Sequence, residues 1–491
     1  MSDRVVVIGG GPAGLTAAYE LFKVAPDHNV VVFEASDLVG GIARTESHKG
    51  YRFDIGGHRF FTKVREVEAM WHEVLGDDFI TVPRKSRIYY RGKFFDYPLR
   101  LLDTLAKIGV YEAFRISASY LKWQVRPHRN EDNFEEWVIN RFGGRLYMHF
   151  FRSYTEKVWG ISPKNIRADW AAQRIKNLTL TKAVWNAISG ANDTASLIEE
   201  FQYPRLGPGM MWEKTAALIE DKGGEVRMRS AVVKVHRQDN RVTAVDVKRW
   251  DEDGNDLGEI TETGDQFINS MALQDLILAM DPPPPSHVVE AAKALNYRDF
   301  LIVTLVLDQA DPFPDNWVYV HSPDVKVGRI QNFRAWSSEL LPNPDTASVG
   351  MEYFCQENDG LWAMSDEDLI ALASRELDEI HLADKDSTIG GFVIRQRKAY
   401  PIYDPQSKDA LDTVAEWLKG LENFQTVGRN GLHRYNNQDH SMLTAMFAAR
   451  NVAGANEDIW SVNVERSYHE EMEVDEDEDS KRYALVKMRL V

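Results

Sequence analysis

The stretch 4–44 constrains the fold of this chain more than any other. Val5-Val6-Val7-Ile8 read as a buried strand, followed by Gly9-Gly10-Gly11-Pro12-Ala13-Gly14 and a helical run over 15–22. A second apolar run, 30–33, ends in Glu34. The pattern is strand, Gly-x-Gly-x-x-Gly turn, helix, strand, acid. Gly9 permits the tight turn, Gly11 lets backbone approach a pyrophosphate, and Gly14 lets helix and strand pack closely. Pro12 and Ala13, inside the turn, belong with them as cofactor-binding positions. The helix N-terminus offers unpaired N–H groups to phosphates. Glu34 stands 20 residues after Gly14, where a carboxylate can bind ribose hydroxyls. This element implies an ADP-containing cofactor and leaves NAD and FAD both open.

At 491 residues the chain predicts two or three lobes. A net charge of −17 argues against a nucleic-acid partner. Cys355 is the one cysteine, so no internal disulfide forms, which fits a reducing cytosol; it reads as a packed thiol rather than a nucleophile. No signal peptide precedes the first strand, and no apolar run reaches membrane-spanning length. A cytoplasmic protein is expected. Eight acids fall within 470–479 and read as a solvated segment. His469 is followed by Glu473 four residues on, so the His-Glu-x-x-His metal motif is not met, and no metal site is expected.

Further along, 50–62 alternates and turns on Gly56-Gly57, and 78–97 reads as short strands with a hairpin at Arg91-Gly92. From about 100 to 200 the pattern is mainly helical. Segments 101–123 and 134–147 are amphipathic. The first could touch a membrane surface, but core packing is preferred, because its apolar face lacks a rich Lys/Arg border. Residues 203–209 form a loop before a helix; 224–235 and 241–250 pair through Asp239-Asn240. Pro282 to Pro285 marks a linker, 298–355 predicts an antiparallel sheet, Val427-Gly428-Arg429 ends another strand, and 369–380 and 441–450 predict helices.

Gly40-Gly41 with Arg44 resemble the second glycine motif of FAD enzymes of the amine oxidase and protoporphyrinogen oxidase superfamily. That resemblance implies FAD. It also implies a discontinuous cofactor domain, with Val233 in an extended segment bordering the adenine. Scattered patches further resemble the UDP-galactopyranose mutases of that superfamily. Gly56-Gly57-His58-Arg59-Phe60-Phe61-Thr62 is similar to the stretch beside the flavin, with Phe61 where the mutases carry a second histidine. Tyr154-Thr155-Glu156-Lys157-Val158-Trp159 resembles a substrate-pocket motif ending in Trp159. Arg174 matches the first of two family arginines, but Leu178 replaces the second. Gly328-Arg329-Ile330 matches a phosphate-binding arginine, and Tyr400 falls in a matching Tyr-Pro-Ile. The run 428–439 resembles the mutases' last motif: Gly428 and Arg429 at FAD, Tyr435 at substrate phosphate, and Asn437, Asp439 and Ser441 at the start of a helix aimed at the flavin.

The resemblance implies an α/β fold: a Rossmann-like FAD-binding domain with an inserted helical region and an antiparallel β-sheet substrate domain. The expected division is 1–80, 201–265 and 413–460 for the FAD-binding domain, 81–200 for a mainly helical lid, 266–412 for the substrate domain, and 461–491 for an acidic C-terminal segment. His58, Arg329 and Tyr435 are the expected catalytic residues. Gly57 and His58 adjoin the flavin, and Trp159, Arg174, Arg329, Tyr400 and Tyr435 bind substrate. Taken singly, Trp159 and Tyr400 read as core aromatics, His58 as a structural histidine and Arg329 as half of a surface ion pair; their joint order carries the resemblance.

Two activities follow. One is a sugar-nucleotide pyranose/furanose isomerase using reduced flavin as nucleophile, with NAD(P)H as a reductant it could take. The alternative is an FAD-dependent oxidoreductase of the amine oxidase or protoporphyrinogen oxidase kind, which Phe61, Leu178 and the 203–209 loop favour. The first is the preferred expectation, with a nucleotide sugar as the small-molecule substrate, no transmembrane segment, and a homodimer as an allowed assembly. If Leu178 removes one phosphate-binding cation, Arg334 and Arg434 are candidate replacements.

Overall fold

The computed structural model describes residues 3–97, 99, 101–168 and 200–462. Two sheets organise it. The first is five-stranded and wholly parallel, in the order Phe424–Thr426, Gln266–Asn269, Arg4–Ile8, Asn29–Phe33, Glu225–Arg227. Arg4–Ile8 and Asn29–Phe33 are apolar at every position after the first because both faces are covered. Val5, Val7, Val30 and Val32 pack on one side, and Val6, Ile8, Val31 and Phe33 on the other. The helices Pro12–Val24 and Gln438–Val452 lie against each other on the first side.

The second sheet has seven strands in the order Thr388–Pro401, Tyr297–Leu307, Ala347–Cys355, Arg329–Asn332, Trp317–Val320, Ser86–Tyr90, Lys93–Asp96. All neighbours are antiparallel except Trp317–Val320 beside Ser86–Tyr90. The hairpin expected at 91–92 is present, with Arg91 and Gly92 both at positive φ. It joins this sheet from within the stretch expected to be mainly helical, a long-range pairing that local pattern does not encode. Residues 230–250 form the expected hairpin through Asp239-Asn240, within a separate four-stranded sheet.

Four expectations change in detail. The segment 101–123 is two helices, Leu101–Ile108 and Val110–Val125, broken at Gly109, whose φ of 102° favours glycine. Its second helix does not bury its apolar face. The strand expected to end at 427–429 stops at Thr426. The last helix begins at Gln438, one turn before 441. Arg174, Leu178 and the acidic cluster at 470–479 lie outside the described residues. Cys355 is fully buried, and burial pushes its thiol up to about 12, as a packed thiol requires.

Candidate functional site

The glycine turn is built by close approach. Gly9 has φ +99°, and its N–H bonds Phe33 O at 2.8 Å. A Cβ on Gly14 would stand 1.8 Å from Gly9 O and 3.3 Å from Val7 Cγ1, so only glycine lets helix meet strand there. Gly11 differs: a Cβ would meet only Gly41 backbone, at 3.8 Å or more. The protein leaves that side open. Gly11 is also the N-cap of Pro12–Val24, with no side-chain cap and no acid in the first turn. Its orphan N–H groups and dipole therefore face the open side unneutralised.

The second glycine pair closes on the first. Gly40 N–H bonds Gly10 O at 2.8 Å, and Gly41, at φ +55°, faces Gly11. Arg44 donates to Gly41 O at 2.9 Å, to Gln396 and to Glu46. Glu34 accepts from Gly10 N–H at 2.6 Å and from Ser36 at 2.8 Å. Arg229 and Ser230 bond Ser36 O and Glu34 O, which brings the hairpin strand of Val233 to the same edge. Val233 sits at a bulge in that strand, half exposed. Gly428, at φ +87°, fits against Ala13: a Cβ would stand 2.9 Å from Ala13 Cβ. An open anion cradle, a carboxylate at the second strand's end and an exposed extended edge suit an ADP-containing cofactor.

A second cluster forms where the seven-stranded sheet meets the loop after Tyr51–Asp54. Arg329 and Glu352 are register partners on adjacent strands. Arg329 Nε and Nη2 donate to Glu352 Oε2 at 2.9 and 2.6 Å, and Gln331 donates to Oε1 at 2.9 Å. The Glu352 carboxylate is fully buried. Burial works against the Arg329 charge, but Glu352 outweighs it and holds that guanidinium's pKa well above its usual value. Arg329 Nη2 also reaches Tyr400 Oη at 3.3 Å. Tyr400 stacks on Tyr435, centroids 5.5 Å apart at 16°, and Trp159 closes on them at 6.3 and 5.9 Å. Arg429 lies over Tyr435 and Tyr400 at 5.0 and 5.6 Å, donating to Asn436 O and Ala399 O.

Gly56 and Gly57 thread over this pair. A Cβ on Gly57 would stand 2.9 Å from Gln331 Nε2, and one on Gly56 3.6 Å from Glu352 Oε1. His58 follows, with Nε2 2.9 Å from Ile55 O. Burial pushes its imidazole down to about 4, helped by Arg429 and Arg329 and opposed by bonds to the Ile55 and Ile42 backbone. His58 is therefore neutral near pH 7.

Arg329, Tyr400, Tyr435, Trp159 and Arg429 thus come together, with His58 close enough to feel both arginines. Arg434 and Arg334 do not join them. Arg434 donates to Trp460 O and Val462 O, and Arg334 pairs with Asp311. At the last helix, Asn437 is the N-cap in a capping box with His440, so its side chain serves the helix. Asp439 and Ser441 are buried in the first turn, and Ser441 Oγ bonds Asn437 O. Sequence reasoning missed Glu352 and Gln331. The signal for Glu352 was a lone acid in the apolar run 347–355, since a buried carboxylate needs a partner.

The family described as flavin containing amine oxidoreductase matches residues 12–401. A Mycobacterium tuberculosis protein assigned as the flavin-containing monoamine oxidase AofH is 26% identical over 301 residues, 59% of this chain and 61% of that protein. The chloroplastic protoporphyrinogen oxidase 1 of Arabidopsis thaliana is 27% identical over 173 residues, 33% of this chain and 31% of that one. The alignments thus span less than two thirds of these relatives. Among solved structures, a reduced UDP-galactopyranose mutase superposes with a TM-score of 0.81 at 19% identity, covering 95% of this chain and 97% of the other. At that identity the likeness is one of fold: a parallel Rossmann-like sheet joined to an antiparallel substrate-domain sheet.

Proposed function

The chain belongs to the flavin containing amine oxidoreductase family, and from that premise we propose that it is an FAD-dependent oxidoreductase taking hydride from an organic substrate. One observation carries this reading over the isomerase: the Arg329 guanidinium is spent on the buried carboxylate of Glu352. A cation neutralised in this way has little charge left for a diphosphate. Arg334 and Arg434, which could have replaced a missing cation, are engaged elsewhere. The remaining wall is aromatic, Trp159 with the stacked Tyr400 and Tyr435. It suits a flat or apolar substrate portion.

FAD, when bound, supplies the two-electron acceptor. The residues of this chain bind and orient. The open side of Gly11 and the uncapped helix N-terminus take the pyrophosphate, with Gly9, Pro12, Ala13, Gly14, Gly41 and Arg44 shaping the cradle. Glu34 would take ribose hydroxyls and the Val233 edge would border the adenine. Gly57, Gly428, Arg429, Asp439 and Ser441 would line the rest of the cofactor path, with Asn437 fixing the start of the last helix beside it. Trp159, Tyr400 and Tyr435 hold the substrate. Burial lifts the Tyr400 phenol to about 12, so it stays a hydrogen-bond donor at neutral pH. Neutral His58 offers hydrogen bonding without adding positive charge.

The test is anaerobic mixing of the yellow holoprotein with panels of amines and porphyrinogen-like compounds. Bleaching of the flavin absorbance by a member of a panel is expected, with no heat of binding on titration with UDP. A second reading, the ring-size isomerase, is favoured by one observation: Trp159, Arg329, Tyr400 and Tyr435, all matched to mutase motifs, meet in one cluster. Conversion of a UDP-sugar to its ring isomer by dithionite-reduced protein, without flavin bleaching by any panel member, would transfer the assignment to it.

A further inference from the structure

Ten large apolar side chains stand exposed among the described residues, and five of them lie on one helix, Val110–Val125. They are Val110, Tyr111, Phe114, Leu121 and Val125; Phe114 is 73% exposed and Val125 80%. At ~100° per residue they share an arc of about 100° with exposed Ala118. Ile116 and Tyr120, on the opposite side, are buried and anchor the helix to the protein. Exposed Arg115 and Lys122 run along one border of the stripe, and exposed Arg126 and Arg129 follow its end. The helix's single acid, Glu112, accepts from Arg145 and His149 and, at 3.3 Å, from Arg115, which leaves Lys122, Arg126 and Arg129 as the cations with no acid on this helix beside them. The cationic border that core packing would not need is therefore present.

The surrounding chain repeats this asymmetry. Residues 84–129 hold eleven Lys and Arg against three Asp and Glu, a charge of +8 in a chain of −17, which leaves −25 on the rest. An apolar stripe bordered by cations, on a protein otherwise strongly anionic, matches an anionic bilayer in both surface and charge. Two copies meeting through the same stripe would instead bring Arg115 and Lys122 toward like charges. No described helix is long and apolar enough to cross a membrane, so the contact lies in the interface plane.

We infer that the helix Val110–Val125 docks this protein on the headgroup layer of an anionic phospholipid bilayer, with Phe114, Leu121 and Val125 below the phosphates and the Arg/Lys border among them. Flotation of the full-length holoprotein with vesicles tests it. Vesicles of phosphatidylcholine with phosphatidylglycerol should carry the protein up at low salt, with binding about tenfold weaker or less on phosphatidylcholine alone. The double variant Phe114→Ser/Leu121→Ser, changed only at exposed positions, should lose at least about tenfold in binding while keeping its flavin absorbance and circular dichroism. Lys122→Glu/Arg126→Glu should lose the preference for phosphatidylglycerol, and it serves as the test should the first variant fail to fold. No flotation with either vesicle, equal binding to both, or unchanged binding by both variants overturns the inference. So does a dimer that Phe114→Ser/Leu121→Ser converts to monomer, since the stripe would then belong to a second copy.

Discussion

Replacing Glu352 by glutamine strands a cation. The carboxylate is fully buried and accepts three hydrogen bonds, two from Arg329 and one from Gln331, while the Arg329 side chain is 19% exposed. Breaking a buried ion pair from one side typically costs ~3–5 kcal/mol, because the surviving charge has lost its partner but not its burial. Glutamine keeps a carbonyl acceptor and the guanidinium keeps some water, so Glu352→Gln belongs at the low end, about 3 kcal/mol. Removing both charges together, as Arg329→Met/Glu352→Leu, leaves no stranded ion and is expected to cost about 1 kcal/mol or less. The single variants Arg329→Met and Glu352→Leu, with this double, therefore form a cycle with a coupling energy of several kcal/mol. Urea unfolding of the holoprotein, followed by tryptophan fluorescence, measures it. The freed guanidinium should also give Glu352→Gln an affinity for pyrophosphate or UDP that the parent lacks, read by calorimetry. A cost below about 1 kcal/mol for Glu352→Gln, or a double variant as unstable as the sum of the singles, would refute the argument that Arg329 is spent on Glu352.

Gly11→Leu should fold but lose its flavin absorbance, since a side chain there meets open space that a pyrophosphate needs; Gly14→Ala, whose Cβ would stand 1.8 Å from Gly9 O, should instead lower the thermal midpoint or prevent folding. Burial raises the Asp54 carboxyl to about 7, with hydrogen bonds from Tyr203 and Thr45 opposing. Its unfolded value is ~3.9, so the folded state binds more protons between the two. Stability should therefore fall as pH rises from about 4 to about 7, on the order of 4 kcal/mol in all, and level off above. Asp54→Asn should flatten that slope in denaturation curves taken across the range. With its imidazole held down near 4, His58 should contribute no inflection near pH 6.5 to the rate of flavin reduction. An inflection there that His58→Asn removes would contradict the neutral assignment.

Much of the parallel Rossmann-like sheet was legible because its determinants are local. A strand buried on both faces must be apolar at every position, and the turn after it needs glycine for reasons of backbone geometry alone. Hairpins at 91–92 and 239–240 announced themselves the same way. What was hidden depended on contacts distant in sequence. The pairing of Ser86–Tyr90 with Trp317–Val320 spans more than two hundred residues, and no local period encodes it. Arg329 read as half of a surface ion pair when taken alone; the pair is there but not at the surface, and that its partner is a buried glutamate on the next strand required the register. The stripe on Val110–Val125 shows the limit most directly. The sequence displays an amphipathic helix, and amphipathicity says nothing about which solvent its apolar face meets.

The parallel sheet gathers strands that lie far apart in sequence. Arg4–Ile8 sits at the centre, one edge strand is Phe424–Thr426, and the helix Pro12–Val24 rests on Gln438–Val452. During synthesis, the first strand and helix leave the ribosome some four hundred residues ahead of the elements that cover them. At roughly 5–20 residues per second, that interval lasts tens of seconds. Throughout it, Leu15, Ala18 and Leu21, all buried in the finished protein, have no counterpart from the last helix to meet. The glycine turn of 9–14 is therefore made long before the helix that completes its setting.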